Sequence, residues 1–383
     1  MMAKFDEFSD SVRTKRVVRV WDIGIRLFHW GLVLAVLVAA VTGFFGSPQA
    51  TKIHLIAGTS IAVLLLFRIV WGFFGSTYAR FRNFIFHPSL MIARIHEIRA
   101  GRHVRYLGHN PLGAAMVFAK LIVLTIIITT GAVVLGGVLK QGPLAFLTPY
   151  AVGSIVKEIH QIFAFILVAM IALHLAGVLY ETFAAREKLV PAMISGLKAA
   201  EPHHDRPKIV QAKPIAGLIL FASVMAFGVG VITNLSAKPG LGVPTAALDA
   251  IYEKECGACH YAYHPSMGTA ALWTGILGTL QDHFGEDASL PDATRAQILT
   301  YLQSNSAEHW DTRISKVLAK PNAENPLRFT ATRFWTRIHA DIPESLFKAK
   351  PIGFKGNCAA CHQDAKNGLF APQSIDVPQG DKS

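Results

Sequence analysis

The sequence predicts an all-α protein: a transmembrane four-helix bundle, a fifth transmembrane helix, and a C-terminal, mostly helical domain outside the lipid. Three observations lead there. Of 383 residues, 52% are hydrophobic and only 16% charged, and the mean hydropathy of +0.38 lies above that of ordinary soluble domains. The apolar residues concentrate before residue 236, in five runs, each close to the ~20 helical residues that cross a hydrocarbon core. The four cysteines all come later, in two pentads, Cys256-Gly-Ala-Cys259-His260 and Cys358-Ala-Ala-Cys361-His362.

The expected spans are roughly 27–45, 55–74, 113–137, 156–180 and 214–235. The first follows a segment too long and mixed for a signal peptide and without a small-residue cleavage site, so it counts as a span. Orientation follows from the basic residues, which accumulate on the cytoplasmic side. Lys4, Arg13, Lys15, Arg16, Arg19 and Arg26 precede span one. Arg80, Arg82, Arg94, Arg99, Arg102 and Arg105 separate spans two and three. Arg186, Lys188, Lys198, Arg206, Lys208 and Lys213 follow span four. The alternate connections carry only Lys52, Lys140 and Lys157, three against eighteen. The N-terminus is therefore expected in the cytoplasm of a bacterial inner membrane, and five crossings deliver the tail to the periplasm.

The net charge of +12 does not indicate nucleic acid. The tail, 236–383, holds 14 basic against 15 acidic residues, so the excess is a topology signal. The chain divides into a transmembrane region at 1–190, a cytoplasmic linker at 191–213, the fifth span at 214–235 and a periplasmic domain at 236–383.

In a Cys-x-x-Cys-His pentad the two thiols form thioethers to haem vinyl groups, and the adjacent histidine is held where it can ligate the iron. Two pentads consuming every cysteine predict two covalently bound haem c groups, with Cys256, Cys259, Cys358 and Cys361 as attachment points and His260 and His362 as proximal ligands. A zinc site built from two Cys-x-x-Cys halves is the rival. A histidine follows both pentads, and haem attachment of this kind takes place outside the cytoplasm, where charge bias independently puts the tail. Unlike sequences follow the two pentads, which argues for one compact domain with a haem near each end. A helix is expected over 292–304, with Pro291 near its start.

Four histidines lie in or at the ends of the spans: His29, His54, His160 and His174. Any one of them could sit in the interface as a hydrogen-bonding group; together they pair by depth. His29 lies at the inner end of span one, and His54 and His160 lie at outer ends. His174 is 14 residues beyond His160, about 21 Å deeper and on nearly the same helix face. His29 with His174 and His54 with His160 would hold an inner and an outer haem b. Two imidazoles per iron leave no open coordination site, which favours electron transfer over oxygen activation. His87 and His109, in the basic inner segment, are competing ligand candidates that read as solvated. Arg68 and Lys120, the basic residues inside spans, either snorkel or meet haem propionates or a quinone head group.

Val20-Trp21-Asp22 with Arg26, His29 and Trp30, the Leu107-Gly108-His109-Asn110-Pro111-Leu112-Gly113 segment, and the His160/His174 helix resemble the bacterial cytochrome b561 family. That family includes the cytochrome b subunits of nickel–iron hydrogenases. The resemblance covers roughly residues 16–190 and implies a four-helix core with two haem b groups that commonly exchanges electrons with quinone. Its ligand positions fall on the same four histidines.

Each haem c also needs a distal ligand, and His264, Met267, His283, His309 and His339 are candidates. Asp282-His283-Phe284-Gly285-Glu286-Asp287-Ala288, and Arg333-Phe334-Trp335 leading to His339-Ala340-Asp341-Ile342-Pro343, resemble the dihaem cytochrome c domain family over about 250–378. The resemblance implies that His283 and His339 are the distal ligands, without saying which serves which haem. His264 departs from the family pattern and stays a third candidate, while His309 reads as a surface residue.

The expected function is electron transfer between membrane quinone or quinol and a soluble periplasmic redox protein, in either direction. Two alternatives stand beside it: a superoxide:quinone oxidoreductase, which would favour a basic approach to the outer haem, and a cytochrome b subunit taking electrons from a partner dehydrogenase or hydrogenase. No nucleotide fingerprint, nucleophile elbow or zinc-protease helix is present, and no feature separates a monomer from a dimer.

Overall fold

The computed structural model describes residues 16–102, 104–184, 186–200 and 209–378. Lys4, Arg13, Lys15, Arg206 and Lys208, five of the charges used for orientation, lie outside them. Among the described residues, five helices are long and apolar enough to cross a membrane: α1 (Ile23–Phe44), α2 (Thr51–Phe74), α4 (Pro111–Gly137), α5 (Tyr150–Phe183) and α7 (Pro214–Ser236). Between them lie the short helices α3 (Pro88–Arg99) and α6 (Leu189–Ser195). The tail folds into α8 (Ala250–Cys256), α9 (Ala270–Gly278), α10 (Asp292–Ser304), α11 (Arg313–Val317), α12 (Arg333–Ile338) and α13 (Glu344–Lys348). Helix α10 falls on the segment expected at 292–304. The sequence reading did not anticipate the short antiparallel ribbon of β1 (Arg16–Arg19) with β2 (Leu197–Ala200), in register Arg16 to Ala200.

Leu34, Phe73, Ile122, Phe165 and Ile219 lie exposed on the long helices, as lipid-facing side chains do when the backbone is satisfied within each helix. Proline marks the starts of α4 and α7, where its missing N–H costs nothing. The Asn110 side chain accepts from Gly113 N at 2.6 Å and caps α4.

The chain forms two compact units. One comprises Met1–Ala40, Ile56–Ile128 and His160–Gly228, and the other Val41–Leu55, Thr129–Ile159 and Val229–Ser383. In the first, Ala35, Ile61, Leu65, Val123, Leu124 and Leu167 form an apolar core between helices. A second cluster gathers Val20, Trp21, Ile25, Trp71, Ala79 and Ala192, around Asp22. That carboxylate caps α1 through Ile25 N at 2.9 Å and accepts from Trp71 Nε1 at 3.0 Å and Ser76 Oγ at 2.5 Å. Arg94, 1% exposed, donates to Glu181 at 2.9 Å and Glu97 at 3.2 Å, tying α3 to the end of α5.

In the other unit Gly137 and Gly153 meet where α4 and α5 cross. A Cβ on Gly153 would fall 2.7 Å from the Gly137 Cα, so only small residues allow this approach. The core of the tail is Tyr252, Met267, Trp273, Ile298, Leu302 and Phe329 with their neighbours.

Replacing Asp22 with alanine removes a helix cap and leaves the Trp71 N–H and Ser76 hydroxyl without their acceptor. We expect Asp22→Ala to cost about 2–3 kcal/mol, read as a lower Tm of the detergent-solubilised protein, with Asp22→Asn intermediate.

Candidate haem-binding sites

Helix α8 is capped by Asp249, whose side chain accepts from Ile251 N and Tyr252 N at 3.0 and 2.9 Å. It ends on Cys256, and His260 follows one turn later. His260 Nδ1 donates to the Tyr261 carbonyl at 2.8 Å, which leaves Nε2 as the ligating nitrogen. His283 comes from the loop after α9, shaped by positive φ angles at Phe284 (59°) and Gly285 (102°) and closed by His283 N to Glu286 O at 2.7 Å. The His260 and His283 ring centroids lie 6.3 Å apart, with planes 24° from parallel.

The second pentad repeats the arrangement with different supports. A tight turn, His362 N to Cys358 O at 2.8 Å, presents His362, whose Nδ1 is buried with no hydrogen-bond partner. His339 closes α12, where its Nδ1 donates to the Trp335 carbonyl at 2.9 Å and its ring stacks on Trp335 at 4.4 Å. The His339 and His362 centroids lie 6.2 Å apart.

These separations test whether the residues fit the group the pentads call for. With metal–nitrogen bonds of about 2 Å, an iron between two imidazoles holds the ring centroids about 6 Å apart. Both pairs have that spacing, and all four thiols are free of disulfides. Burial lowers the pKa of His283, His339 and His362, favouring the neutral imidazole that binds metal.

The remaining tail candidates have other roles. His264 Nδ1 accepts from Ser266 N at 3.1 Å and pairs with Ser266 Oγ at 2.7 Å. Burial pushes His264 down to about 4, so it serves as a neutral cap. Met267 is 1% exposed in the core, its sulfur 3.9 Å from the Tyr261 hydroxyl. His309 is exposed at the end of a 3-10 turn.

Among the membrane histidines, His29 on α1 has a buried Nδ1 with no hydrogen-bond partner, and its ring meets Trp30 edge-on at 5.1 Å. His174 on α5 has Lys120 and His29 as its titratable neighbours. His160 Nδ1 donates to the Ile127 carbonyl at 3.1 Å. His54 Nδ1 lies 3.3 Å from Thr42 Oγ1, and Gly43 gives its ring room, since a Cβ there would stand 3.0 Å from His54 Cε1. A hydrogen bond at Nδ1 fixes the plane of an imidazole and the direction of its Nε2. His54 belongs to the second unit and the other three to the first.

His109, expected to be solvated, is instead buried between Trp21 and Phe84, with ring centroids at 4.8 and 4.6 Å. Burial, then the charge of Arg68, pushes it down to about 3, so it is neutral. The signal was Trp21 and Phe84, which lie far from it in the sequence. His87, by contrast, is exposed as expected and caps α3. Arg68 is 3% exposed, with its guanidinium 4.5 Å over the Phe81 ring and one nitrogen, Nη1, buried without a hydrogen-bond partner. It does not snorkel, and such an orphaned donor suits an anionic group such as a propionate.

Comparison with known proteins agrees with this division. Residues 20–196 match the prokaryotic cytochrome b561 family and residues 252–370 the dihaem cytochrome c family. A probable Ni/Fe-hydrogenase B-type cytochrome subunit of Cupriavidus necator is 27% identical over 218 residues, 49% of this chain and 89% of that protein. Its counterpart in Azotobacter chroococcum is 26% identical over 228 residues, 52% of this chain and 94% of that protein. A dihaem cytochrome c structure from Rhodobacter sphaeroides is 36% identical over 33% of this chain and 100% of its own, with a TM-score of 0.29. The chain is a multi-pass membrane electron-transfer protein, a prokaryotic cytochrome b561 over residues 20–196 and a dihaem cytochrome c over residues 252–370, with haem b in the first part and haem c in the second.

Proposed function

We propose that this cytochrome carries electrons between the quinone pool of a bacterial inner membrane and a soluble periplasmic redox protein. Two haem b and two haem c groups are assigned to one chain. The observation that carries the reading is the pair of imidazole separations in the tail, 6.3 and 6.2 Å. His260 with His283 and His362 with His339 are proposed as the axial pairs of the two haem c irons. Cys256, Cys259, Cys358 and Cys361 would hold the macrocycles. His29 with His174 and His54 with His160 take the same role for the inner and outer haem b. The domain division of the sequence reading is kept: a dihaem b bundle at 1–190, a cytoplasmic linker at 191–213, a fifth span at 214–235 and a periplasmic dihaem c domain at 236–383.

Bound haem supplies a one-electron couple at iron. The chain holds the imidazoles of His160, His260 and His339 through Nδ1 bonds to backbone carbonyls, and two imidazoles at each site would leave the bound iron no open position. Arg68 and Lys120 are proposed to meet the propionates of the inner haem b.

A second reading, a cytochrome b subunit fed by a partner hydrogenase, is favoured by the named relatives, which are matched over 89% and 94% of their length. Copurification with a metalloenzyme tests it. The superoxide:quinone reading loses support. One of its three outer cations, Lys140, is bound to Asp311 at 2.8 Å, with a side chain only 2% exposed.

The pyridine haemochrome spectrum of the purified chain should give two haem b and two haem c. Absence of haem b would refute the membrane histidine pairing, and a single haem c would refute the dihaem tail. His283→Met should replace one bis-imidazole EPR signal and raise one haem c potential by on the order of 0.1 V, since axial ligands tune potentials over about 0.8 V. Arg68→Ala should lower the occupancy or potential of one haem b and leave both haem c signals unchanged, with Arg68→Lys intermediate.

A further inference from the structure

We propose that the two haem c sites work in a fixed order: the Cys358–His362 site adjoins the membrane bundle and relays electrons, and the Cys256–His260 site is the port to the soluble carrier. The order rests on the proposed function above and extends it to the path within the tail. Every residue used to argue it belongs to one compact unit.

The 3-10 turn Pro48–Ala50, just before α2, packs against the turn Pro372–Ser374, with Cα atoms within 8 Å. His54 lies four residues beyond Ala50. The other turn is fastened to the second pentad. Gln363 N donates to Ser374 O at 3.0 Å, Asp376 N donates to Cys361 O at 2.8 Å, and His362 forms a β-bridge with Ile375. The connection between α4 and α5 approaches the same site. Val138, Leu139 and Lys140 line one cleft with Leu369 and Phe370, and the Phe370 ring is 5.1 Å from that of His362.

This contact is clamped. Asp311 Oδ2 accepts from Lys140 Nζ at 2.8 Å and from Tyr150 N at 2.7 Å. Leu241 N donates to Ala145 O at 2.8 Å. The first pentad is the more open to solvent, with Gly257, Ala258 and Cys259 exposed and Phe284, beside His283, 52% exposed. The two pentads also adjoin each other. Tyr263 Oη donates to Gly356 O at 2.8 Å, and Phe354 lies 6.4 Å from the His260 ring. One electron would move per step, between the group held at His54, the group held by His362 and His339, and the group held by His260 and His283, each donor being oxidised as the next is reduced, in this order or its reverse.

The test uses the full chain in liposomes, a quinol analogue as donor, soluble cytochrome c as acceptor and stopped-flow spectra as readout. With Cys256→Ala/Cys259→Ala, quinol should still reduce the remaining haem c, while reduction of soluble cytochrome c falls at least tenfold. With Cys358→Ala/Cys361→Ala, reduction of the remaining haem c by quinol should fall at least tenfold, although dithionite still reduces it. His339→Met and His283→Met keep all four haems and mark each site spectrally. Because methionine raises the potential of its own site, the order is read from transients: in His283→Met, reduction of the Met-ligated site should follow transient reduction of its partner, and in His339→Met no such transient should precede it. The reverse sequence, or equal reduction of both single-haem variants by quinol, overturns the order. If quinol fails to reduce either haem c in the wild type, the quinone reading fails instead. The order is then read backwards, from reduced cytochrome c to haem b, where loss of the Cys358–His362 site should block transfer and loss of transfer only without the other site overturns it.

Discussion

An imidazole can hold an iron only if something else holds the imidazole. Much of the local structure around the eight candidate histidines follows from that constraint. Backbone carbonyls take Nδ1 of His160, His260 and His339, and a threonine hydroxyl lies against His54. Aromatic faces confine the rings that lack such a bond: Phe370 lies against His362, and Trp30 meets His29 edge-on. A ring fixed in plane and direction presents Nε2 without the entropy loss of freezing a mobile side chain.

The membrane part obeys a second requirement, that no polar group be left unpaired where water cannot reach. Asp22 and Glu181 meet it at two junctions. Asp22 joins α1 to the end of α2 through Trp71 and Ser76, and Glu181 joins α5 to Arg94 and Asn110. Against that background the orphaned atoms of Arg68, His29 and His109 stand out. Two of the three were already singled out in the sequence by lying inside apolar runs, and they gather in the same unit as Lys120 and His174.

What the sequence made legible depends on the range of the interaction. The spans, α10 and the two pentads are local patterns, and the helices fall where hydropathy and proline placed them. The burial of His109 depends on Trp21 and Phe84, each far from it in the chain. The β1–β2 ribbon joins residues nearly the length of the bundle apart. The histidines proposed as distal ligands show the same limit. Spacing could not say whether His283 belongs with His260 or with His362, because a loop with two positive φ angles turns its ring toward the first pentad.

The clamp at Asp311 bears on how a soluble domain can share electrons with a membrane bundle. Electron transfer between cofactors weakens steeply with distance, so a domain on a loose tether would transfer only during the fraction of time it is docked. Here the lysine is nearly fully buried and the carboxylate also accepts a backbone N–H. Undocking would return both charges to water, so the pair contributes orientation and register at this junction more than binding energy. In the path proposed above, transfer here would run through the packing of Phe370 against His362 and of Pro48–Ala50 against Pro372–Ser374.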